Sequence, residues 1–186
     1  MIVVGASGGL PGKTGKAYVF QNVGGSWNEV AKLTARDEHI NNFFGRSVAI
    51  SDNVIVVGAP EGELDQGHGA AYVFTNTNGT WSETNKLTDS DGADGDRFGG
   101  ASIFGDRIVV GSQKPAVYLF EKTNDTWNEV AQMTSTAAGA GTDPSYGSGL
   151  AISENSIVIG RPQWGDAFVF GSDPGLSLIT LGAGQH

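Results

Sequence analysis

Four aspartates in one short segment are the residues best suited to chemistry. Asp89, Asp91, Asp94 and Asp96 lie in the run DSDGADGD, which also contains two glycines. Carboxylates on a glycine-rich loop could wrap Ca²⁺, which takes roughly six to eight oxygen ligands. The run lacks the glutamate of an EF-hand, and aspartates in turns also accept hydrogen bonds from nearby backbone N–H groups. Calcium therefore stays open beside a solvated turn, and no other cofactor is indicated.

Two histidines and a tryptophan are further candidates, and all three lie in predicted loops. His39 and His68 have acidic neighbours, among them Asp65, and could in principle enter a Ser-His-Asp arrangement. However, neither G-x-S-x-G nor H-E-x-x-H occurs, so we predict polar surface residues and no enzyme. Trp164, in RPQWGD, could stack on a sugar or anchor a protein partner, or it could be buried against a neighbouring loop.

Two N-glycosylation sequons occur at equivalent places, at Asn78 and Asn124. The sequon marks a surface loop when the protein is secreted, but Asn, Gly and Thr are also common turn residues. Glycosylation and coincidence therefore both remain open.

Charge and composition exclude some classes of partner. The net charge is −9 with 11 basic residues and no Lys/Arg cluster, which disfavours a nucleic-acid partner. No stretch reaches the roughly 18 apolar residues of a membrane span, so membrane insertion is not expected. The chain has no cysteine, which leaves the redox compartment undecided.

These candidates must be positioned by a repeated unit. The phrases FGRSVAIS, NVIVVGAP, AAYVF and WSETNKL return in degenerate form, and landmarks recur about every 50 residues at Ile2, Ile55, Ile108 and Ile157. Apolar residues alternate within each phrase, which is typical of strands, and such periods with four strands each are typical of propeller blades. Trp27, Trp81 and Trp127 recur at one position, so we expect them to pack between blades.

The sequence therefore predicts an all-β fold, a β-propeller of four-stranded antiparallel blades forming one domain over 1–186. The blades are expected at about 1–34, which lacks its first strand, and at 44–88, 98–134 and 146–182. Antiparallel order places the 2–3 loops and the 4–1 links on one face, and the short 1–2 and 3–4 turns on the other. The long acidic loops thus gather on one face, where binding is expected.

Phe44-Gly45 followed by Gly58-Ala59-Pro60 resembles the FG-GAP repeat of integrin α-subunit propellers and of many bacterial and algal surface proteins. Calcium-binding blades of that family carry an aspartate-rich loop between strands 1 and 2. Here that loop is only two or three residues long, so the family's calcium ligands have no matching positions. The resemblance implies an extracellular or cell-surface location.

The leading hypothesis is a non-catalytic binding or adhesion module that recognises protein or glycan through the loop-rich face. One alternative is an assembly component that self-associates through the open edge at Ile2–Ala6, since exposed strand edges recruit other strands. Another is an accessory propeller of a larger hydrolase.

Overall fold

The computed structural model describes residues 1–8, 13–40, 42–60, 67–114, 116–134, 145–163, 165–171 and the strand at 178–181. The first sheet contains β1 (Ile2–Ala6), β2 (Lys16–Val23) and β3 (Ser26–Leu33). The second contains β4 (Ser47–Ser51), β5 (Val54–Ala59), β6 (Ala70–Thr77) and β7 (Thr80–Leu87).

The third sheet contains β8 (Gly100–Phe104), β9 (Arg107–Gly111), β10 (Ala116–Thr123) and β11 (Thr126–Thr134). The fourth contains β12 (Gly149–Ile152), β13 (Ser156–Arg161), β14 (Asp166–Gly171) and β15 (Leu178–Leu181). Strands follow chain order in every sheet, and all neighbours are antiparallel. The described residues form no helix, so the all-β prediction and the repeat of blade-like four-stranded sheets are confirmed.

The sheets pack face to face in chain order. An aromatic residue that precedes the first strand of each of the last three sheets is buried at the junction with the preceding sheet. Phe44 lies edge-on to Tyr72 and Phe74, with ring centroids 5.5 and 6.1 Å apart. The same arrangement joins Phe98 to Tyr118 at 5.5 Å. Such edge-to-face pairs add to the apolar burial of three clusters, one for each junction. The Phe of the FG motif is therefore a junction residue.

The close packing of neighbouring units explains why the GAP motif begins with glycine. A Cβ built on Gly58 would lie 1.7 Å from the carbonyl oxygen of Gly99, which belongs to the FG motif of the next unit. A Cβ on Gly5 would lie 1.9 Å from the carbonyl oxygen of Gly45 in the same way. Neither position has room for a side chain, so the two halves of the motif are tied together by backbone contact between units.

The repeated tryptophans differ in burial because their units differ in neighbours. Trp127 is buried, Trp81 is half-buried, and Trp27 is 49% exposed. The expectation that all three pack between blades is therefore correct for Trp127 and wrong for Trp27. Trp27 belongs to the face of the first sheet that points away from the second, and Ile2 and Val4 of that face are also exposed.

The loop-rich face

The antiparallel order places two sets of connections on one face, here called the loop-rich face. It receives the links from each fourth strand to the next first strand and the loops between second and third strands. Asn78 and Asn124 lie in the exposed turns at the opposite end, with φ angles of 52° and 51°. Those turns join third to fourth strands as expected, and glycosylation there stays a prediction.

A cavity of about 510 Å³ opens on the loop-rich face beside the second sheet, and we call it the outer cavity. His39 from one link, His68 from a 2–3 loop and Asp89 from the next link all line it. Lys86 contributes a cation to the wall, and that cation is paired with Asp37. The structure thus brings together three candidates that are far apart in sequence.

Asp89 is the most unusual residue of the outer cavity. It is only 7% exposed, and among the described residues neither carboxylate oxygen has a hydrogen-bond partner. Burial raises its pKa and outweighs the lowering effect of its own backbone N–H, and the negative charges of Asp96 and Asp91 add to the rise. The equivalent position of the preceding link is Ala35, which is buried at 5% exposure. A carboxylate therefore occupies a site where the repeat accepts a methyl group.

Asp91, two residues further on, has the opposite environment. Its carboxylate accepts hydrogen bonds from the Tyr118 hydroxyl at 2.8 Å and from Gln132 Nε2 at 3.1 Å. Lys114 Nζ lies 2.6 Å from Oδ2. The hydrogen bond from Lys114, followed by that from Tyr118, lowers the pKa of Asp91 to about 2. This carboxylate fastens the link to the third sheet.

The same fastening occurs one unit earlier. Asp37 pairs with Lys86, which occupies the position on β7 that Gln132 occupies on β11. The backbone N–H of Arg36 donates to Glu83 at 2.8 Å, and that of Ser90 donates to Glu129 at 3.0 Å. Each link is thus docked on the sheet that follows it by a repeated set of polar contacts.

The remaining two aspartates of the acidic run also have protein partners. Asp94 Oδ1 lies 3.0 Å from His68 Nε2, and Asp96 Oδ2 accepts the Ala93 N–H at 2.7 Å. Within the described ranges, no group of three or more His, Asp or Glu side chains is arranged to hold a metal ion. The contacts agree with the turn interpretation of this segment, and calcium binding stays a prediction. Trp164 and Asp65 lie outside the described residues.

A second cavity, of about 400 Å³, opens where the first strands of three sheets begin, and we call it the axial cavity. Arg46 and Arg97, which flank two FG motifs, line it together with Gln113 and Ser148. These arginines are not among the candidates predicted from the sequence. An available signal was the scarcity of basic residues, because two of only 11 stand directly beside the most conspicuous motif of the repeat.

One buried ion pair lies at the start of the last described 2–3 loop. Arg161 is 3% exposed, and its Nε donates to Asp166 Oδ1 at 2.8 Å while Nη2 donates to Oδ2. The Arg161 guanidinium holds the pKa of Asp166 below its usual range. The guanidinium also lies over the Phe168 ring, 5.4 Å from its centroid. This pair closes the loop onto the fourth sheet.

Repeated antiparallel sheets, joined through a Phe-Gly of one unit and a Gly of the preceding one, define an all-β repeat protein. The model of the FG-GAP repeat matches residues 27–74 and 81–120. The chain therefore contains FG-GAP repeats over these residues. FG-GAP repeats are generally found in extracellular, adhesion-type proteins. No curated protein matches the chain. The described residues contain no helix of the length and apolar character needed to cross a membrane.

Proposed function

We propose that the protein is a non-catalytic extracellular binding module that recognises a protein or glycan through its loop-rich face. The observation that carries this proposal is the convergence of both cavities and of the docked links on that face. Concave sites lined by a few polar groups are where ligands usually bind. Connections held on a rigid scaffold are also where binding residues concentrate. The general occurrence of FG-GAP repeats in adhesion-type proteins supports an extracellular role.

The absence of cysteine makes a face-blocking experiment straightforward. Glu38→Cys places a thiol on the loop-rich face, and Asp106→Cys places one in a turn at the opposite end. Both replaced residues are exposed acids, so the two variants lose the same charge. Each is coupled to a maleimide polyethylene glycol and applied to an array of glycans and of matrix proteins such as collagen, laminin and fibronectin.

We expect at least one probe to retain the unmodified protein, and modification at position 38 to abolish that retention. Modification at position 106 should leave it unchanged. Retention that survives modification at 38 but not at 106 would move the binding site to the other face. If no probe retains the protein, the proposal of a protein- or glycan-binding module is refuted for these ligands.

Assembly is a second candidate function, and the exposed face of the first sheet favours it. Ile2 and Val4 are 42% and 47% exposed, whereas their equivalents in the second sheet, Ile55 and Val57, are fully buried against the first sheet. The outer face of the fourth sheet presents Val158, which is 38% exposed. Together the two ends offer the two halves of an ordinary junction, so we propose head-to-tail pairing with a second copy.

Native mass at increasing concentration tests assembly. Val4→Lys and Val158→Lys should each block one end, and an equimolar mixture of the two variants should form a dimer through the intact ends. A face-to-face dimer between like ends would show no such complementation. A wild-type chain that stays monomeric at millimolar concentration would exclude assembly.

A further inference from the structure

We propose that the axial cavity binds the carboxylate of a single acidic residue in an extended peptide segment of a protein partner. The inference rests on the proposed binding function and names the chemistry that one part of the loop-rich face would recognise. The residues concerned are Arg46 and Arg97, which no sequence motif marks as functional.

The two arginines stand out because of how the other cations are used. Lys86, Lys114 and Arg161 are each paired with an aspartate on or near the loop-rich face. Within the described part of the chain, the guanidinium groups of Arg46 and Arg97 have no hydrogen-bond or ion-pair partner. Two cations of a chain with net charge −9 are thus left available at one cavity.

The lining of the axial cavity is suited to an anion. None of its residues is acidic, so the two positive charges are not neutralised within the wall. A guanidinium presents a planar set of donors that can bind a carboxylate with two parallel hydrogen bonds. Gln113 and Ser148 are exposed on the same wall and can donate further hydrogen bonds. The hydroxyl groups of Ser47 and Ser112 are already engaged with backbone groups.

The surroundings favour one carboxylate over a polyanion. The links that lead to Arg46 and Arg97 contain acidic residues, and a protein of net charge −9 repels a densely charged chain such as a nucleic acid or a sulfated polysaccharide. A peptide with one acidic residue between neutral residues brings its charge to the arginines while placing no other negative charge near the links.

The wall also favours a peptide over an acidic sugar. Its described lining contains no aromatic side chain on which a sugar ring could stack. Four glycines, Gly99, Gly100, Gly111 and Gly147, leave the backbone close to the cavity surface. A backbone-lined groove of about 400 Å³ accepts an acidic side chain with its flanking peptide groups.

Nuclear magnetic resonance titration of the ¹⁵N-labelled full chain tests the proposal and detects weak binding. The probe is the blocked peptide Gly-Ser-Glu-Ser-Gly, compared with its Gly-Ser-Gln-Ser-Gly analogue and with glucuronic acid. We expect saturable shifts at residues 46, 97 and 148 with the glutamate peptide, and affinity at least tenfold weaker for the glutamine peptide and for glucuronic acid.

Variants separate the site from general electrostatics. Arg46→Ala/Arg97→Ala should weaken binding at least tenfold, and the matched control Lys32→Ala/Lys122→Ala should bind as the wild type does. Absence of saturable binding by the wild type, or unchanged binding by the arginine double variant, overturns the proposal. Glucuronic acid binding as tightly as the glutamate peptide overturns the assignment to a peptide.

The same double variant distinguishes this inference from the proposed function. If the double variant binds array probes normally, remains sensitive to modification at position 38 and still binds the glutamate peptide as the wild type does, the binding function stands and the axial site is refuted. If the wild type binds the glutamate peptide but no array probe, the axial site stands without the array-based function.

Discussion

Replacing Asp89 by alanine is expected to stabilise the protein. The carboxylate is buried without a hydrogen-bond partner in the described structure, and the preceding link holds Ala35 at the equivalent position. A buried polar group without a partner costs about 1–3 kcal/mol. Asp89→Ala removes that cost, and an alanine side chain fits the position because the preceding link already has one there. In a chain of this length, each kcal/mol raises Tm by about 2–4 °C. Thermal and urea unfolding at pH 7 measure the effect.

The pH dependence of the stability difference is a second, independent test of the environment of the Asp89 carboxylate. Burial raises the pKa of Asp89 in the folded state above its unfolded value, which is about 3.9. The stability associated with a raised pKa is present at acid pH and is lost as pH rises through the folded pKa. The advantage of Asp89→Ala over the wild type should therefore be largest at neutral pH, should shrink as pH falls through the raised folded pKa, and should be lost below about pH 4.

Asp91→Ala is the matched control, because it removes the same charge from the same segment. Its carboxylate has three protein partners, so its loss should destabilise the fold. Since the Asp91 side chain is 47% exposed, solvent screening limits the loss to about 1–2 kcal/mol. The two substitutions thus have opposite expected signs at positions two residues apart.

Destabilisation of the protein by Asp89→Ala, to the extent expected for Asp91→Ala, would refute the prediction. That result would mean that the Asp89 carboxylate is satisfied in solution by a bound group. Repeating the unfolding with calcium and with a chelator identifies the group when it is Ca²⁺. Calcium-dependent stability in the wild type that disappears in Asp89→Ala would establish the calcium site that the sequence left open.

Two further predictions concern junctions and loop closure. Gly58→Ala should cost about 3 kcal/mol or more, because its Cβ would lie 1.7 Å from the Gly99 carbonyl oxygen. Gly149→Ala, which has open space around its Cβ, should be nearly neutral in the same urea titration, and equal losses would contradict the contact. Asp166→Asn should cost about 1.5–3 kcal/mol at pH 7, because it removes the carboxylate charge that faces the buried Arg161 guanidinium. Because the folded pKa of Asp166 is lowered, this stabilisation should be present above about pH 4 and be lost as pH falls further. A pH-independent difference in the free energy of unfolding between the wild type and Asp166→Asn would refute the pairing.

The class of fold followed from sequence because its causes are local and repeated. Alternating apolar residues specify strands, and tight turns such as Asn78-Gly79 specify antiparallel hairpins. Repetition of the same phrases then predicts the same sheet several times. The sorting of loops onto two faces required only the antiparallel order. These conclusions needed no knowledge of which units touch.

Burial at the repeated positions could not be read in the same way. Trp27 and Trp127 belong to the same phrase, but one is exposed and the other buried, because burial depends on the presence of a neighbouring sheet. The reason for glycine in the GAP motif was also hidden, since its close contact is a backbone atom of another unit.

The loop-rich face shows most clearly what sequence and tertiary structure each determined. The acidic run was recognisable by its composition, but its aspartates have different environments: Asp91 is held by three partners and Asp89 is buried with none. Those partners come from strands and loops more than 20 residues away in sequence, so local spacing carries no information about them. Arg46 and Arg97 are likewise brought to one cavity only by the packing of successive sheets. Local periodicity determined the strands, whereas contacts between units decided which polar groups are satisfied and which remain available to bind.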